Sequence, residues 1–223
     1  MAPAEFDPTE TLRKTLYTAV ICDVLDGLGY RNQAMRPFVR PLDDSSTLFG
    51  VARTGQYERV DGVADGENAY EVEMELIDDL KPGDIVVLAC DGPSESLTPW
   101  GELLTTAARV RGATGAVFDG LVRDVRAIRE SGFPIFHGGI GPLDSRGRGR
   151  MAARDLAIEC GGVSVHPGDY VFGDVDGVVV IPRKVAKECV ARALKKISGE
   201  NVTREELLTG AKLIDVYRKY GVL

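Results

Sequence analysis

Short runs of consecutive apolar residues alternate along the chain with longer segments in which apolar residues recur every three or four positions. The runs at 85–89 and 115–118, and the two short apolar runs within 170–182, are bounded by glycine or proline turns, as is typical of buried strands. Residues 48–60 have a mixed pattern that favours β-structure. The alternation therefore predicts a mixed α/β fold.

The segments between these strands have the apolar spacing of helices. Asp7 and Pro8 form a favourable helix start, because the Asp side chain can cap the helix and proline suits its first position. Gly27 and Gly29 would end this helix. The other predicted helices cover 67–80, 103–111 and 184–198, with a further one opened by the capping pair Thr203 and Glu206.

The sequence changes to an almost wholly helical pattern after Pro182. We expect residues 1–182 to form the main α/β domain and residues 183–223 to form a helical C-terminal tail. The tail either belongs to the same domain or packs on a neighbouring subunit. The second arrangement would present Glu200 to another copy of the chain.

Two carboxylates and one guanidinium lie at the ends of the predicted helix and strand between residues 100 and 124. Glu102 begins the helix, whose free amides favour anions. Arg123 and Asp124 follow the strand 115–118 and a turn, and loops that leave such strands often carry the chemistry of α/β proteins. We therefore expect these three side chains at one edge of the fold, although Asp124 could simply cap a following helix.

Composition narrows the class of protein. A chain of 223 residues with 44% hydrophobic content can bury a sizeable core, and a formal net charge of −7 argues against nucleic acid as a partner. With no membrane-length apolar run and no secretory signal, the expectation is a cytoplasmic protein without a membrane partner. The four cysteines are widely spaced, which predicts buried, reduced thiols rather than disulfides or a zinc site.

Five motifs spread over nearly the whole chain resemble those of one protein family. They are TAVICDVLDGLGYRNQAM, KPGDIVVLACDG, WGELLTTAARVRGATGAVFDGLVRD, GFPIFHGG and GGVSVHPGDYVFGDVDGVVVIP. The family joins the 4-hydroxy-4-methyl-2-oxoglutarate/4-carboxy-4-hydroxy-2-oxoadipate aldolases, which are class II pyruvate aldolases, with the regulator of ribonuclease activity A. Its most specific element is an acidic residue, twenty residues and then Arg-Asp, here Glu102, Arg123 and Asp124. The aldolases usually have Asp where this chain has Glu102.

The resemblance implies a layered α/β/α domain with a β-barrel-like core, similar to swivelling phosphohistidine domains, assembled as a homotrimer or homohexamer. It implies a metal-dependent lyase that cleaves a 4-hydroxy-2-oxo acid to pyruvate and a second oxo acid, with oxaloacetate decarboxylation as a side activity. By similarity, Asp124 would bind the metal directly, and Glu102 and an adjacent subunit's Glu200 would act through water. Arg123 would stabilise the enolate. The residues that would bind the pyruvyl carboxylate are Gly101, Glu102, Leu103 and Leu104.

The residue content of the chain agrees with metal chemistry. A pyruvate enolate needs either a lysine Schiff base or a metal to stabilise its charge, and no lysine lies between Lys81 and Lys184. His137 and His166 are not in a paired-ligand motif, so a histidine zinc site is not expected. Carboxylate and water ligands favour Mg²⁺ or Mn²⁺.

Several of these features have structural alternatives. Trp100 is expected to pack in the core, with a place in the wall of the pocket as the alternative, and His137 to be an interior histidine rather than a catalytic base. The basic run at 145–150, with Arg154 nearby, is expected to be a solvated loop or to contact another subunit. For the whole protein, a non-catalytic ribonuclease regulator and an enzyme for another 2-oxo or 2-hydroxy acid stay open as alternatives.

Overall fold

The computed structural model of the protein describes residues 10–90, 92 and 97–221. Its strands are β1 (Arg40–Pro41), β2 (Leu48–Arg59), β3 (Asp84–Ala89), β4 (Gly115–Phe118), β5 (Leu121–Val122), β6 (Ile135–His137), β7 (Gly139–Ile140), β8 (Gly149–Arg154), β9 (Ile158–Cys160), β10 (Val163–Val165), β11 (Tyr170–Asp174) and β12 (Gly177–Ile181). Its α-helices are α1 (Glu10–Thr15), α2 (Thr18–Gly27), α3 (Glu71–Asp78), α4 (Glu102–Val110), α5 (Val125–Ser131), α6 (Ala186–Leu208) and α7 (Leu213–Tyr220).

Eight of the strands form one sheet that nearly closes into a barrel. Their order is β1-β6-β4-β3-β2-β11-β12, with β8 paired to the last residues of the long strand β2. The central strands β2, β3, β4 and β6 are parallel, and the other pairs are antiparallel. Arg40 at one edge donates to the carbonyl of Asp176 beside the other edge at 2.8 Å, so the two edges approach each other. The barrel-like α/β fold implied by the resemblance is confirmed.

Alternate side chains of the central strands enter different core layers, as the two-residue period of a strand requires. On β3, Val86 and Leu88 pack beneath helices α3, α4 and α5, whereas Ile85 and Val87 point into the barrel. A third apolar layer packs helices α2 and α6 against the sheet. Both faces of the parallel strands are therefore covered, which explains their uninterrupted apolar runs.

The N-terminal helix is divided where the pattern predicted one continuous helix. The predicted start at Asp7 and Pro8 lies outside the described residues, and Tyr17 is extended between α1 and α2. The carboxylate of Asp174 accepts hydrogen bonds from the backbone N–H of Thr18 at 2.8 Å and from its hydroxyl at 2.7 Å. This contact from β11 fixes the start of α2, and no local pattern near residue 18 could have indicated it.

The C-terminal part contains a second correction. Helix α6 runs without interruption from Ala186 to Leu208, so the predicted helix start at Thr203 is wrong. Thr203 is buried inside the helix, where the backbone amides are already used and cannot be capped. Ala186 and Cys189 of α6 pack in the same apolar layer as α2, while the division of the chain at residue 182 stays a prediction.

The described cysteines agree with the expectation of reduced thiols. All four are free; three are buried, and Cys22 is half-buried. Within the described ranges, none of the helices has the length and apolar character needed to cross a membrane.

Candidate active site

The predicted edge between residues 100 and 124 is formed by two adjacent backbone segments. Trp100 makes a parallel β-bridge with Val122, and the backbone N–H of Arg123 donates to the carbonyl of Trp100 at 3.1 Å. Helix α4 begins two residues after Trp100, and helix α5 begins just after Asp124. The start of one helix is thereby joined to the loop before the next.

Asp124 has an unusual backbone conformation. Its φ and ψ angles of 60° and 30° are left-handed, a region that residues other than glycine seldom adopt. Its side chain does not cap α5, which was the structural alternative. Instead, Oδ2 accepts the backbone N–H of Glu102 at 3.1 Å, at the start of α4. A carboxylate at that position is favoured by the helix dipole.

Gly101 makes this arrangement sterically possible. A Cβ atom at this residue would lie 2.7 Å from Oδ2 of Asp124 and 3.1 Å from Nε of Arg123. Any larger side chain would displace one of these two groups. The glycine therefore allows the Arg-Asp pair to lie directly against the start of α4.

Arg123 lies between two carboxylates. Its Nη1 is 3.1 Å from Oδ2 of Asp144, and its Nε is 3.6 Å from Oδ2 of Asp124. The hydroxyl of Tyr70 donates to the same oxygen of Asp144 at 3.1 Å. Burial alone would raise the pKa of Asp144, but the N–H of Arg146, the Tyr70 hydroxyl and Arg123 outweigh it and lower that pKa. The guanidinium is thus held in one position by an ionised partner.

These groups border a cavity of about 350 Å³. Its lining comes from the start of α3 and the residue before it, from the start of α4 and the residues before it, and from the loops after β5 and before β8. Of the predicted site residues, the ones that line the cavity are Gly101, Leu103, Leu104, Arg123 and Asp124.

Two predicted site residues do not line it. The backbone of Glu102 binds Asp124, but its carboxylate accepts the Thr106 hydroxyl at 2.8 Å along the outside of α4. Glu200 on α6 accepts a hydrogen bond from the Tyr17 hydroxyl of its own chain. Whether Glu200 serves a neighbouring subunit stays a prediction.

The cavity also contains an acid that sequence reasoning missed. Glu73 of α3 is only 7% exposed, and Tyr57 on β2 donates a hydrogen bond to its carboxylate. Burial raises the pKa of Glu73 to about 7. A signal was present, since Glu73 has the same helical register as the buried residues Leu76, Ile77 and Leu80. An acid on the apolar face of a helix warrants a functional hypothesis.

The remaining candidates have structural roles. Trp100 is buried, stacks on Phe118 and donates its indole N–H to Thr105 at 2.8 Å, so it packs in the core, and it also lines the cavity. His137 is buried, and burial lowers its pKa to about 4, so it is a neutral interior residue at pH 7.

The basic run contains part of strand β8. Arg150 forms ion pairs with Glu58 at 2.8 Å and Glu67 at 2.6 Å. Arg154 contacts Asp79 at 2.8 Å and Glu75 at 3.3 Å. These two arginines therefore bind carboxylates of their own chain.

The chain is similar to known proteins over most of its length. An RraA-like family model described as Aldolase/RraA matches residues 18–180. A Halalkalibacterium halodurans protein named "Putative 4-hydroxy-4-methyl-2-oxoglutarate aldolase" is 34% identical over 94% of this chain and 92% of its own. The structure of Streptomyces coelicolor RraAS2, described as an unusual member of the RNase ES inhibitor RraA family, has a TM-score of 0.79 at 29% identity, covering 89% of this chain and 99% of that one. A Pseudomonas syringae structure has a TM-score of 0.80 at 26% identity, covering 95% and 98%.

Proposed function

The chain belongs to the Aldolase/RraA family, and we propose that it is a divalent-metal-dependent class II pyruvate aldolase. The substrate class is a 4-hydroxy-2-oxo acid, cleaved to pyruvate and a second oxo acid. The observation that carries the proposal is the position of Arg123, fixed between Asp144 and Asp124 at the cavity wall. A permanently charged, pre-positioned guanidinium suits the negative charge that develops on an enolate.

The start of α4 offers a site for the substrate carboxylate. The first hydrogen bond inside this helix runs from the Thr105 N–H to the Gly101 carbonyl at 3.1 Å. The amides of Leu103 and Leu104 precede that bond, and both residues line the cavity. Amides at a helix start bind anions well, so the pyruvyl carboxylate would lie here, with its 2-oxo oxygen toward Arg123.

Asp124 fits a Mg²⁺ or Mn²⁺ site that uses few protein ligands. Its side chain is 46% exposed, and among the described residues only Oδ2 is engaged, which leaves Oδ1 available. The described part of the chain contains no group of three or more His, Cys, Asp or Glu residues arranged for a metal, but Mg²⁺ commonly uses one or two carboxylates and several waters. A bound metal would supply positive charge that stabilises the enolate.

Glu102 and Glu200 are proposed to assist through water. For Glu102, this role requires its side chain to turn from Thr106 toward Asp124. For Glu200, it requires a homotrimer or homohexamer in which α6 reaches a neighbouring site. Oxaloacetate decarboxylation is proposed as a side activity, because loss of CO₂ produces the same pyruvate enolate.

Pyruvate release tests the proposal. The substrates are 4-hydroxy-4-methyl-2-oxoglutarate, 4-carboxy-4-hydroxy-2-oxoadipate and oxaloacetate, each with Mg²⁺, Mn²⁺ or a chelator. We expect metal-dependent release from at least one, and a fall in kcat of about 10²- to 10³-fold in Arg123→Ala. Arg126→Ala on the exposed side of α5 is the matched control and should retain wild-type kcat.

Turnover that is absent or independent of metal with all three substrates would overturn the proposal. Absence of any turnover would favour a ribonuclease regulator, since the description of the Streptomyces relative calls its own family an RNase ES inhibitor family. Release from a different 2-oxo or 2-hydroxy acid alone would retain the enolate chemistry and change the substrate.

A further inference from the structure

Glu73 is the buried acid of the cavity, and its surroundings are those of a group that exchanges a proton. It lines the cavity from α3, and Arg123 and the start of α4 line the same cavity. Of the described residues, Tyr57 alone hydrogen-bonds to its carboxylate. A buried carboxyl with one protein partner is costly as a structural element, because a buried charge needs full compensation.

The groups around Glu73 have opposing effects on its pKa. Burial and the nearby Asp144 carboxylate raise its pKa, while the Tyr57 hydroxyl and Arg123 lower it, with a result of about 7. The hydroxyl of Tyr70, which lines the same cavity, is engaged by Asp144, and the Cys90 thiol faces Tyr57. At neutral pH, Glu73 therefore changes readily between its carboxylate and acid forms, as a general acid or base must.

We propose that Glu73 is the general base of aldol cleavage, taking the proton from the C4 hydroxyl of the substrate and returning it to C3. This inference rests on the proposed aldolase function. As the hydroxyl proton moves to the Glu73 carboxylate, the C4–O bond becomes a carbonyl and the C3–C4 bond breaks. Its electron pair forms the pyruvate enolate. The protonated Glu73 then donates the same proton to C3, which completes pyruvate and restores the carboxylate.

The decarboxylation of oxaloacetate distinguishes a general base from a residue that only supports the structure of the cavity. Oxaloacetate has no C4 hydroxyl proton to remove, since its C3–C4 bond breaks with release of CO₂, and water can protonate the enolate that results. Loss of a base should therefore impair aldol cleavage far more than decarboxylation. A general loss of cavity structure should impair both reactions to a similar degree.

The experiment compares Glu73→Gln with wild type on 4-hydroxy-4-methyl-2-oxoglutarate and on oxaloacetate, with kcat and KM measured separately. We expect kcat for aldol cleavage to fall about 10²- to 10⁴-fold. For decarboxylation we expect a fall below about tenfold, and little change in KM for either substrate. Glu71→Gln is the matched control, because Glu71 is an exposed acid on the same helix, and it should behave as wild type.

A second variant retains the carboxyl group, so it tests the role even if Glu73→Gln folds poorly. The Tyr57 hydroxyl stabilises the Glu73 carboxylate, so Tyr57→Phe should raise the pKa of Glu73. The rising limb of kcat against pH for aldol cleavage should then move from near pH 7 to higher pH by about one unit.

Three results would each overturn the inference. The first is a rising limb of kcat against pH that Tyr57→Phe does not move. The others are an equal loss of both reactions in Glu73→Gln, and wild-type aldol cleavage in that variant. The failure of the aldolase proposal itself looks different. If the aldolase proposal fails, wild-type protein releases no pyruvate from any of the tested substrates. If only the Glu73 inference fails, the wild type is active and the variants do not behave as expected.

Discussion

Asp124 and Asp155 share a backbone conformation but have different surroundings. Among the described residues, they are the two non-glycine positions with positive φ, at 60° and 57°. Asp155 binds Arg53 through both carboxylate oxygens, at 2.8 Å and 3.0 Å. Asp124 accepts one amide hydrogen bond and lies 3.6 Å from Arg123.

Arg53, the partner of Asp155, has a structural role, whereas Arg123, beside Asp124, is the arginine proposed to act in catalysis. Arg53 is buried and makes four hydrogen bonds, the other two to the Asp79 carbonyl at 3.0 Å and to Asp84 at 3.4 Å. Its contacts offset the strain at Asp155 locally. Strain that is not offset by strong local contacts is typical of functional sites, and Asp124 at the cavity is the example here.

The largest expected effect is on stability, from Arg53→Ala. This variant leaves the buried Asp84 without its ion-pair partner and the partly buried Asp155 with only its 3.2 Å contact to Arg154. We expect the free energy of unfolding to fall by about 3–5 kcal/mol, measured by urea denaturation. Arg123→Ala is the matched control, because its half-exposed ion pairs are screened by water, and it should lose less than about 1 kcal/mol. Equal losses from the two arginines would contradict the comparison.

The acids near the two arginines should also respond oppositely to pH. Arg53 lowers the pKa of Asp155 against the effect of burial, so its stabilising contribution is present above the ordinary Asp pKa and is lost as pH falls. Burial raises the pKa of Glu73 from 4.5 to about 7, so its contribution is full below pH 4.5 and is lost as pH rises through 7.

Glu73→Gln isolates the second effect. The unfolding free energy of wild type, relative to this variant, should fall by about 3 kcal/mol between pH 4.5 and pH 8. Urea unfolding at several pH values measures it. The same measurement on Glu71→Gln is the control for removal of an exposed acid from the same helix. A difference for Glu73→Gln that does not change with pH would show that Glu73 ionises normally in the folded protein.

Local pattern was sufficient for the elements that local sequence determines. The strand at 115–118 was predicted with its observed bounds, and helix α4 was predicted within one residue at each end. The spacing of the predicted helix and strand also predicted that Arg123 and Asp124 lie near the start of α4. The division between α1 and α2 was not accessible in this way, because Asp174 is 156 residues away from Thr18.

Two cavity residues that the sequence did not predict, Asp144 and Glu73, are likewise positioned by contacts between segments that are distant in the sequence. Asp144 and Glu73 reach the cavity through packing of α3 and the loop before β8 against the Arg123 segment. Helical spacing could mark Glu73 as an acid on the buried face of α3, but no spacing in a single sequence reports which distant segments that face contacts. The capping pattern at Thr203 failed for the opposite reason, since residues three apart are neighbours in any helix, whether or not the helix begins there.

The smallest expected effect tests the strain at Asp124 directly, by comparison of Asp124→Gly with Asp124→Ala. Both variants remove the carboxylate and its hydrogen bond to the Glu102 amide, so both should lose pyruvate release. They differ in Cβ, which is unfavourable at a φ of 60°. Glycine should therefore be more stable than alanine at this position by about 1 kcal/mol in urea unfolding.

A comparison of glycine with alanine at an ordinary helical position gives the control. Ala127 is exposed in α5, where Ala127→Gly should lower the free energy of unfolding by about 1 kcal/mol, because glycine disfavours helix. The sign of the Gly-minus-Ala difference should thus reverse between positions 124 and 127. If glycine were less stable than alanine at both, residue 124 would not be held in the left-handed region, and its contrast with Asp155 would reduce to the number of hydrogen bonds each carboxylate makes.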